Sequence, residues 1–526
     1  MHDANRKKAN FFRIIYAAHD KHNIKTALKG VRNLDGSNCG KRLSLSLERN
    51  LSEIKRIFGG SSDLNVLRAR IGRADCAVLT LEGMVSSSAV SDMLLEPLMR
   101  AGEKRLGSQA FYDYISKSGM FSTEQKQVLN FGEAAKMLCS GFALVMTDGV
   151  SRALCVSAQG FQTRAVSEPE SESNIKGAHE ALSDNLRTSM SLIRRRVKSP
   201  LLRFEFLRAG TLADIELCVV YIAGKTPKKL RDEVKARIKK MDLELILTSG
   251  SIIPFVSKSK GAFFSEASTT ERPDVIAAKV NEGRIALLID GVPYAVLFPT
   301  LFAENFQTVD DYEEKPLFAA CQRIVRYIAF FIAAFLPGTY VAAAIYHSEV
   351  LSRPLLLSLI ASEESTPLPL VSEMLMVIIM FEILREAGLR LPKTVGGAVS
   401  IVGGLVIGDA AVTSGLISAP LLIIIGITAT SSFVLPGLNP QVTLLRLASV
   451  AAGGIAGFYG MAVLITLALV NASSCQSYGV PYTAPFAPLT LSAVRKTVAR
   501  EGFKPDMKNA TIEQLVGAGG KKDDGK

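Results

Sequence analysis

The spacing of apolar positions changes character near residue 316. Before it, short apolar runs alternate with polar and charged residues. The stretch "ADCAVLTLEGM" (74–84) predicts a buried strand, and "LLRFEFLRAGTLADIELCVVYIAG" (201–224) predicts two alternating strands. In "FALVMTDGVSRALCVSA" (142–158) and "RIALLIDGVPYAVLF" (284–298), Asp-Gly sits between apolar runs. Because such turns need positive φ at their centre, Asp148-Gly149 and Asp290-Gly291 are expected hairpin turns. "TPKKLRDEVKARIKKM" (226–241) places Leu230, Val234 and Ile238 four apart opposite a charged face, which is an amphipathic helix. The expectation is two small mixed α/β subdomains, 61–165 and 190–300, joined by the polar stretch "SEPESESNIKGAHEALSDN"; linker and second subdomain together fill 166–316. Residues 1–60 are expected to be a flexible basic arm, and "LIRRRVK" (192–198) a solvated helix face.

Beyond residue 316 charge almost vanishes: 327–346, 394–408, 410–445 and 447–494 contain no Asp, Glu, Lys or Arg. A spanning helix needs about 20 mostly apolar residues, so 317–490 reads as a polytopic transmembrane helical domain. Spans are expected at 324–346, 395–413, 415–437 and 444–471. The candidate at 370–384 either crosses, giving five spans, or re-enters, giving four; a short crossing within 351–370 would make six. Basic residues prefer the cytoplasmic side. Arg323 and Arg326 therefore start the first span inside, and the basic tail 491–526 is expected in the cytoplasm when the span count is even. Pro337-Gly338 is expected to break or kink that span. Gly404, Gly408, Gly453 and Gly457 form two small-xxx-small pairs suited to close helix packing in lipid.

Composition adds exclusions. The net charge of +12 is accounted for by a basic face beside anionic lipid, and no nucleic-acid-reading module is visible. The start, "MHDANRKKANFFRIIYAAHD", lacks the apolar core and cleavage site of a signal peptide, which leaves the large N-terminal region cytoplasmic. Seven scattered cysteines without a CxxC pair fit buried thiols in a reducing compartment. In "DGSNCGKRLS" (35–44), Asp35 stands where a phosphate loop needs its first Gly and Arg42 where it needs Ser or Thr. With no nucleophile elbow, HExxH or dinucleotide fingerprint, the reading is of no enzyme: no catalytic residue, no cofactor and no metal site.

The informative chemistry is charge beside hydrocarbon. "SEMLMVIIMFEILREAGLRLPK" (372–393) carries Glu373, Glu382, Arg385 and Glu386, and Asp409 stands alone in "VGGLVIGDAAVTSG". A charge at mid-membrane costs about 2.5–3.5 kcal/mol on insertion scales, so such groups face protein, water or one another. On a helix, Glu382, Arg385 and Glu386 share a stripe where a salt bridge can form, while Glu373 lies half a turn away. They are either structural ion pairs between helices or the lining of a polar path for ions or solutes.

Several stretches carry a family resemblance. "LPGTYVAAAIYHSEVL", "FEILREAGLRLPKTVGGAVSIVGGLVIGDAAVTSGLIS", "SYGVPYTAPFAPL" and "GRIALLIDGVPYAVLFPTLFAENFQTVDDY" resemble the A subunit of the GerA family of spore germination receptors, in order from about residue 62 to 490. The resemblance implies a multi-pass protein of the inner membrane of the endospore with a large cytoplasmic N-terminal region. It implies self-association into a nutrient-gated ion channel, with a transporter-like B subunit that senses the nutrient and a lipoprotein C subunit as partners. The stage V sporulation protein AF, which resembles the same sequences, offers a second reading as a channel subunit aiding ion or dipicolinate release. A solute carrier or a membrane-anchored scaffold are the readings from other classes.

Overall fold

The computed structural model describes residues 40–104, 106–117, 124–160, 168–172, 177–257, 262–364, 366–391 and 408–487, with 489, 494, 497 and 498 beyond. The chain forms two compact units. The first (to residue 258, with 267–299) holds two antiparallel sheets. Strands β1 (Leu64–Ile71), β2 (Ala74–Leu81), β3 (Gln125–Val128), β4 (Phe142–Thr147) and β5 (Ala153–Ser157) are ordered β1-β2-β4-β5-β3. Strands β6 (Leu202–Ala209), β7 (Ile215–Ile222), β8 (Ser268–Thr270), β9 (Ile285–Ile289) and β10 (Val292–Phe298) are ordered β6-β7-β9-β10-β8.

The second sheet repeats the first, and so do its helices. A helix leads into each first strand: α1 (Leu47–Phe58) before β1 and α4 (Leu186–Arg196) before β6. Another, α3 (Phe131–Cys139) or α6 (Pro273–Asn281), follows the short third strand. Helix α2 (Ser108–Lys117) packs through Phe111, Tyr112 and Ile115 on the other face of the first sheet. In the second half, α5 (Lys228–Lys239) buries Leu230, Val234 and Ile238 as the periodicity requires.

The two Asp-Gly turns show the repeat at atomic level. Asp148 Oδ1 accepts from Leu47 N (2.9 Å), and Asp290 Oδ1 accepts from Leu186 N (3.1 Å). Each aspartate thus satisfies an orphan amide at the start of the helix that leads its sheet. Positive φ is carried by Gly149 and Gly291, at +81° each. The remaining caps also correspond: Ser46 accepts from Arg49 N, and Asn185 from Thr188 N.

Two expectations change here. The arm expected over 1–60 ends in α1, whose Leu47, Leu51, Ile54, Ile57 and Phe58 are buried in the core of the first sheet. Alternation with Glu48, Glu53, Lys55 and Arg56 hides this helix inside a basic, polar-looking stretch. Nor is 192–198 a solvated face throughout. Arg194 is buried and pairs with buried Asp63 at 2.5 Å, joining α4 to the residues just before β1. Arg203 Nη2 donates to Ile57 O (2.9 Å), and Ser62 N to Phe204 O (2.8 Å), so the repeats are locked edge to edge. Burial pushes the thiols of Cys76 and Cys139 up to about 11 and that of Cys155 to about 12, as expected of packed cysteines. Cys321, by contrast, is exposed.

The second unit is helical: α7 (Pro316–Tyr346), α8 (Arg353–Glu363), α9 (Leu370–Arg390), α10 (Ala419–Phe433) and α11 (Asn439–Ser474). Among the described residues, two helices are long and apolar enough to cross a membrane, one over 316–346 and one over 436–474. Helix α10, at 15 residues, is apolar but shorter, and α9 keeps its charges. The span expected over 395–413 lies mostly outside the described residues, as does Gly404.

Candidate functional site: a charged cluster among apolar helices

Helix α9 buries Leu370, Glu373, Met374, Val377 and Ile378, an i, i+3, i+4, i+7, i+8 stripe in which a glutamate occupies a core position. One turn beyond this stripe stands Glu382. Its Oε2 meets Arg385 Nη2 at 2.5 Å, the i, i+3 bridge that the spacing allows. Its Oε1 accepts from Thr443 Oγ1 (3.0 Å) and Arg446 Nη1 (3.2 Å), both on α11. Arg446 is 1% exposed and reaches a third helix, donating from Nε to Ala333 O (2.9 Å). Its guanidinium also lies 5.9 Å from the Phe381 ring, within cation–π range.

The bond to Ala333 corrects the expected helix break. Pro337 has no N–H to give the carbonyl four residues earlier, which is that of Ala333. Arg446 supplies the missing donor, and α7 runs unbroken from 316 to 346. Gly338 serves instead as a contact: a Cβ there would stand 2.3 Å from Ser449 O, and one on Gly453 would stand 2.4 Å from Gly338 O. These two glycines let α7 and α11 touch backbone to backbone, as small residues do in lipid. The break falls on α11, where Ala456 and Gly457 leave helical geometry and Gly457 takes φ +58°. At Gly408 a Cβ would meet Leu422 at an ordinary 3.5 Å, so no close approach depends on it.

The other candidates separate. Glu386 does not join the cluster; it pairs with Arg390 at 2.7 Å, both exposed. Asp409 is exposed, and its carboxylate has no hydrogen bond among the described residues. Glu373 is fully buried, and its Oε1 accepts from Ser418 N (2.6 Å) at the start of α10. That N-terminus carries partial positive charge that favours an anion.

Arg446 is the residue that sequence reasoning missed. Its signal is visible in hindsight as the lone charge between the charge-free runs 410–445 and 447–494. The cluster holds one carboxylate and two guanidiniums, a net +1. Glu382 and Arg385 keep 18% and 19% of their side chains accessible, while Arg446 is enclosed. Such an arrangement can hold three helices in one packing and can also meet ions that reach its open side.

A mixed α/β half, joined to apolar helices of which two are long enough to cross a membrane, defines the class as a membrane-associated protein with charges enclosed among its helices. The family model described as Bacillus/Clostridium GerA spore germination protein matches residues 52–510. Spore germination protein KA of Bacillus subtilis (strain 168) is 36% identical over 474 residues, covering 89% of this chain and 86% of the relative. An uncharacterized membrane protein, YfkQ, from the same organism is 32% identical over 480 residues, covering 90% and 92%. Spore germination protein GerLA of Bacillus cereus is 30% identical over 452 residues, covering 84% and 92%. The crystal structure of the N-terminal domain of the A subunit of the Bacillus megaterium spore germinant receptor GerK3 aligns at 28% identity with a TM-score of 0.41, covering 50% of this chain and 98% of that one. The chain belongs to the GerA family of spore germination proteins.

Proposed function

We propose that this protein is the membrane subunit of a nutrient-gated spore germination receptor, and that copies of it assemble into an ion channel. The observation that carries the reading is the cluster of Glu382, Arg385 and Arg446, which ties α7, α9 and α11 together while leaving one side accessible. Charges in hydrocarbon are retained where they have a task. Membership in the family supports the receptor assignment, with a transporter-like B subunit binding the nutrient and a lipoprotein C subunit as partners. The helices cross four to six times, the N-terminal region lies in the cytoplasm, and the chain sits in the inner membrane of the endospore. Much of the apolar surface of α11 is uncovered within one copy, including Ile455, Tyr459, Leu467 and Leu469, which suits contact with lipid or further copies.

Gating follows as a shift between two helix packings. A nutrient on the partner moves the equilibrium only by its differential affinity for the two states. The Gly338–Gly453 contact and the Gly457 break are where α7 and α11 would re-pack, and the charges move with them. Asp409 and Glu386, both outside the cluster, are the remaining candidate pore-facing groups. The test is nutrient-triggered cation release from spores carrying Glu373→Gln, Glu382→Gln, Glu386→Gln or Asp409→Asn. Glu382→Gln is expected to change release most; unchanged release in all four would remove these carboxylates from the mechanism.

A further inference from the structure

A second group of buried polar atoms lies around the first turn of α9, and the charged cluster does not account for it. Glu373 Oε1 is held by Ser418 N, but its Oε2 is buried and has no hydrogen-bond partner among the described residues. Three further buried oxygens share that condition: Ser418 Oγ, Tyr340 Oη and Glu363 Oε1. They come from four segments, namely α7, the end of α8, the start of α9 and the cap of α10. Tyr340 packs in the same apolar cluster as Met374, Ile417 and Leu421, which flank Glu373 and Ser418. Glu363 lies within electrostatic reach of Glu373, and Tyr340 within reach of both. Ser418 is 3% exposed, so neither its hydroxyl nor Glu373 is served by bulk water.

Four unserved oxygens, two of them on carboxylates, make a site of one chemical kind. An unmet buried polar atom destabilises the fold, and a charged one more so. A fully buried carboxylate at Glu373 beside the half-buried one at Glu363 calls for a positive charge, and no Lys or Arg forms an ion pair with Glu373 among the described residues. Hard cations take all-oxygen ligand sets of carboxylates, hydroxyls and carbonyls. We propose that Tyr340, Glu363, Glu373 and Ser418 form a binding site for a hard metal cation of group 1 or group 2, which joins α7, α8, α9 and the start of α10. The helix N-terminus at Ser418 then orients Glu373 by fixing one of its oxygens, leaving the other for the ion.

The site is tested by binding rather than by flux, so its failure and that of the channel reading are separable. The full-length chain, purified in lipid nanodiscs in choline chloride, is unfolded by heat while NaCl, KCl, MgCl2 or CaCl2 replaces choline at constant ionic strength. A ligand that binds only the folded state raises the midpoint in a saturable way. At least one of the four salts should do so, which also identifies the ion. Glu373→Gln and Glu363→Gln should each raise the half-saturating concentration by about tenfold or more, since even outer partners of a metal site are worth about 10–100-fold. Tyr340→Phe should act in the same direction, and Glu48→Gln, on the exposed pair with Arg68 in the α/β unit, should leave the response intact. Should Glu373→Gln fail to fold, Glu363→Gln at the helix end carries the test. No salt-specific rise in the unaltered chain, or a full response in Glu363→Gln, would overturn the proposal and leave the carboxyls holding protons alone.

Discussion

Arg446 occupies the position where two problems of the apolar helices meet: a carboxylate that needs a donor and a proline that leaves a carbonyl without one. Removing Arg446 leaves Glu382 paired with Arg385 but strips Ala333 O of its donor, and a buried polar group without its partner costs about 1–3 kcal/mol. Arg446→Met should therefore lower the thermal midpoint of the chain in nanodiscs markedly. Replacing Glu382 by Leu as well should lower it further, since Arg385 then loses the carboxylate it pairs with. A double variant as stable as Arg446→Met would show that the arginine acts mainly on the proline turn. The same residue shows why side-chain pairing escapes sequence reading. Glu382 and Arg385 were legible as a pair because one helix sets their spacing, whereas Arg446 is 61 positions from Arg385 and meets Glu382 only through tertiary packing.

The elements themselves follow from local rules that the structure repeats. Each sheet is led by a helix whose first amide is held by the aspartate of a distant Asp-Gly turn. Loss of a capping side chain costs about 0.5–2 kcal/mol. Asp290→Ala should accordingly speed amide exchange in α4 and leave α1 protected, while Asp148→Ala should do the reverse. Equal loosening of both helices in either variant would contradict the pairing. Strands β6 and β7 stand where expected although their burial does not alternate, while both turns were legible from Asp-Gly chemistry and α5 from its 3.6 period. The short edge strands β3 and β8, of four and three residues, were not, because so few positions carry no period. Nor was the strand-for-strand repeat, since it resides in hydrogen-bond order rather than in residue identity. Among the apolar helices, Pro337 marked a break that the tertiary donor from α11 prevents, while the true departure from helix sits at Gly457, where no proline announces it.

At the scale of the whole molecule, the two units solve different problems. The α/β unit is a duplicated sheet module, held as one body by the enclosed Asp63–Arg194 pair and by Arg187, which bridges Glu82 of one half and Glu216 of the other. The helical unit keeps its charges at two places along α9, one net positive around Glu382 and one net negative around Glu373. Glycine contacts at Gly338 and Gly453 bring the backbones of α7 and α11 together in that unit. On the proposed function, a locked α/β body joined to a helical body that can re-pack is what a receptor would use to pass a signal from a partner to a pore. The decisive measurement is cation flux through lipid vesicles holding the purified chain with its receptor partners, with and without nutrient, for the unaltered protein and for Glu382→Gln. The account predicts non-saturating, nutrient-dependent flux that Glu382→Gln alters by changing the open fraction. Nutrient-dependent flux that is the same in both proteins, or no flux in either, would contradict it.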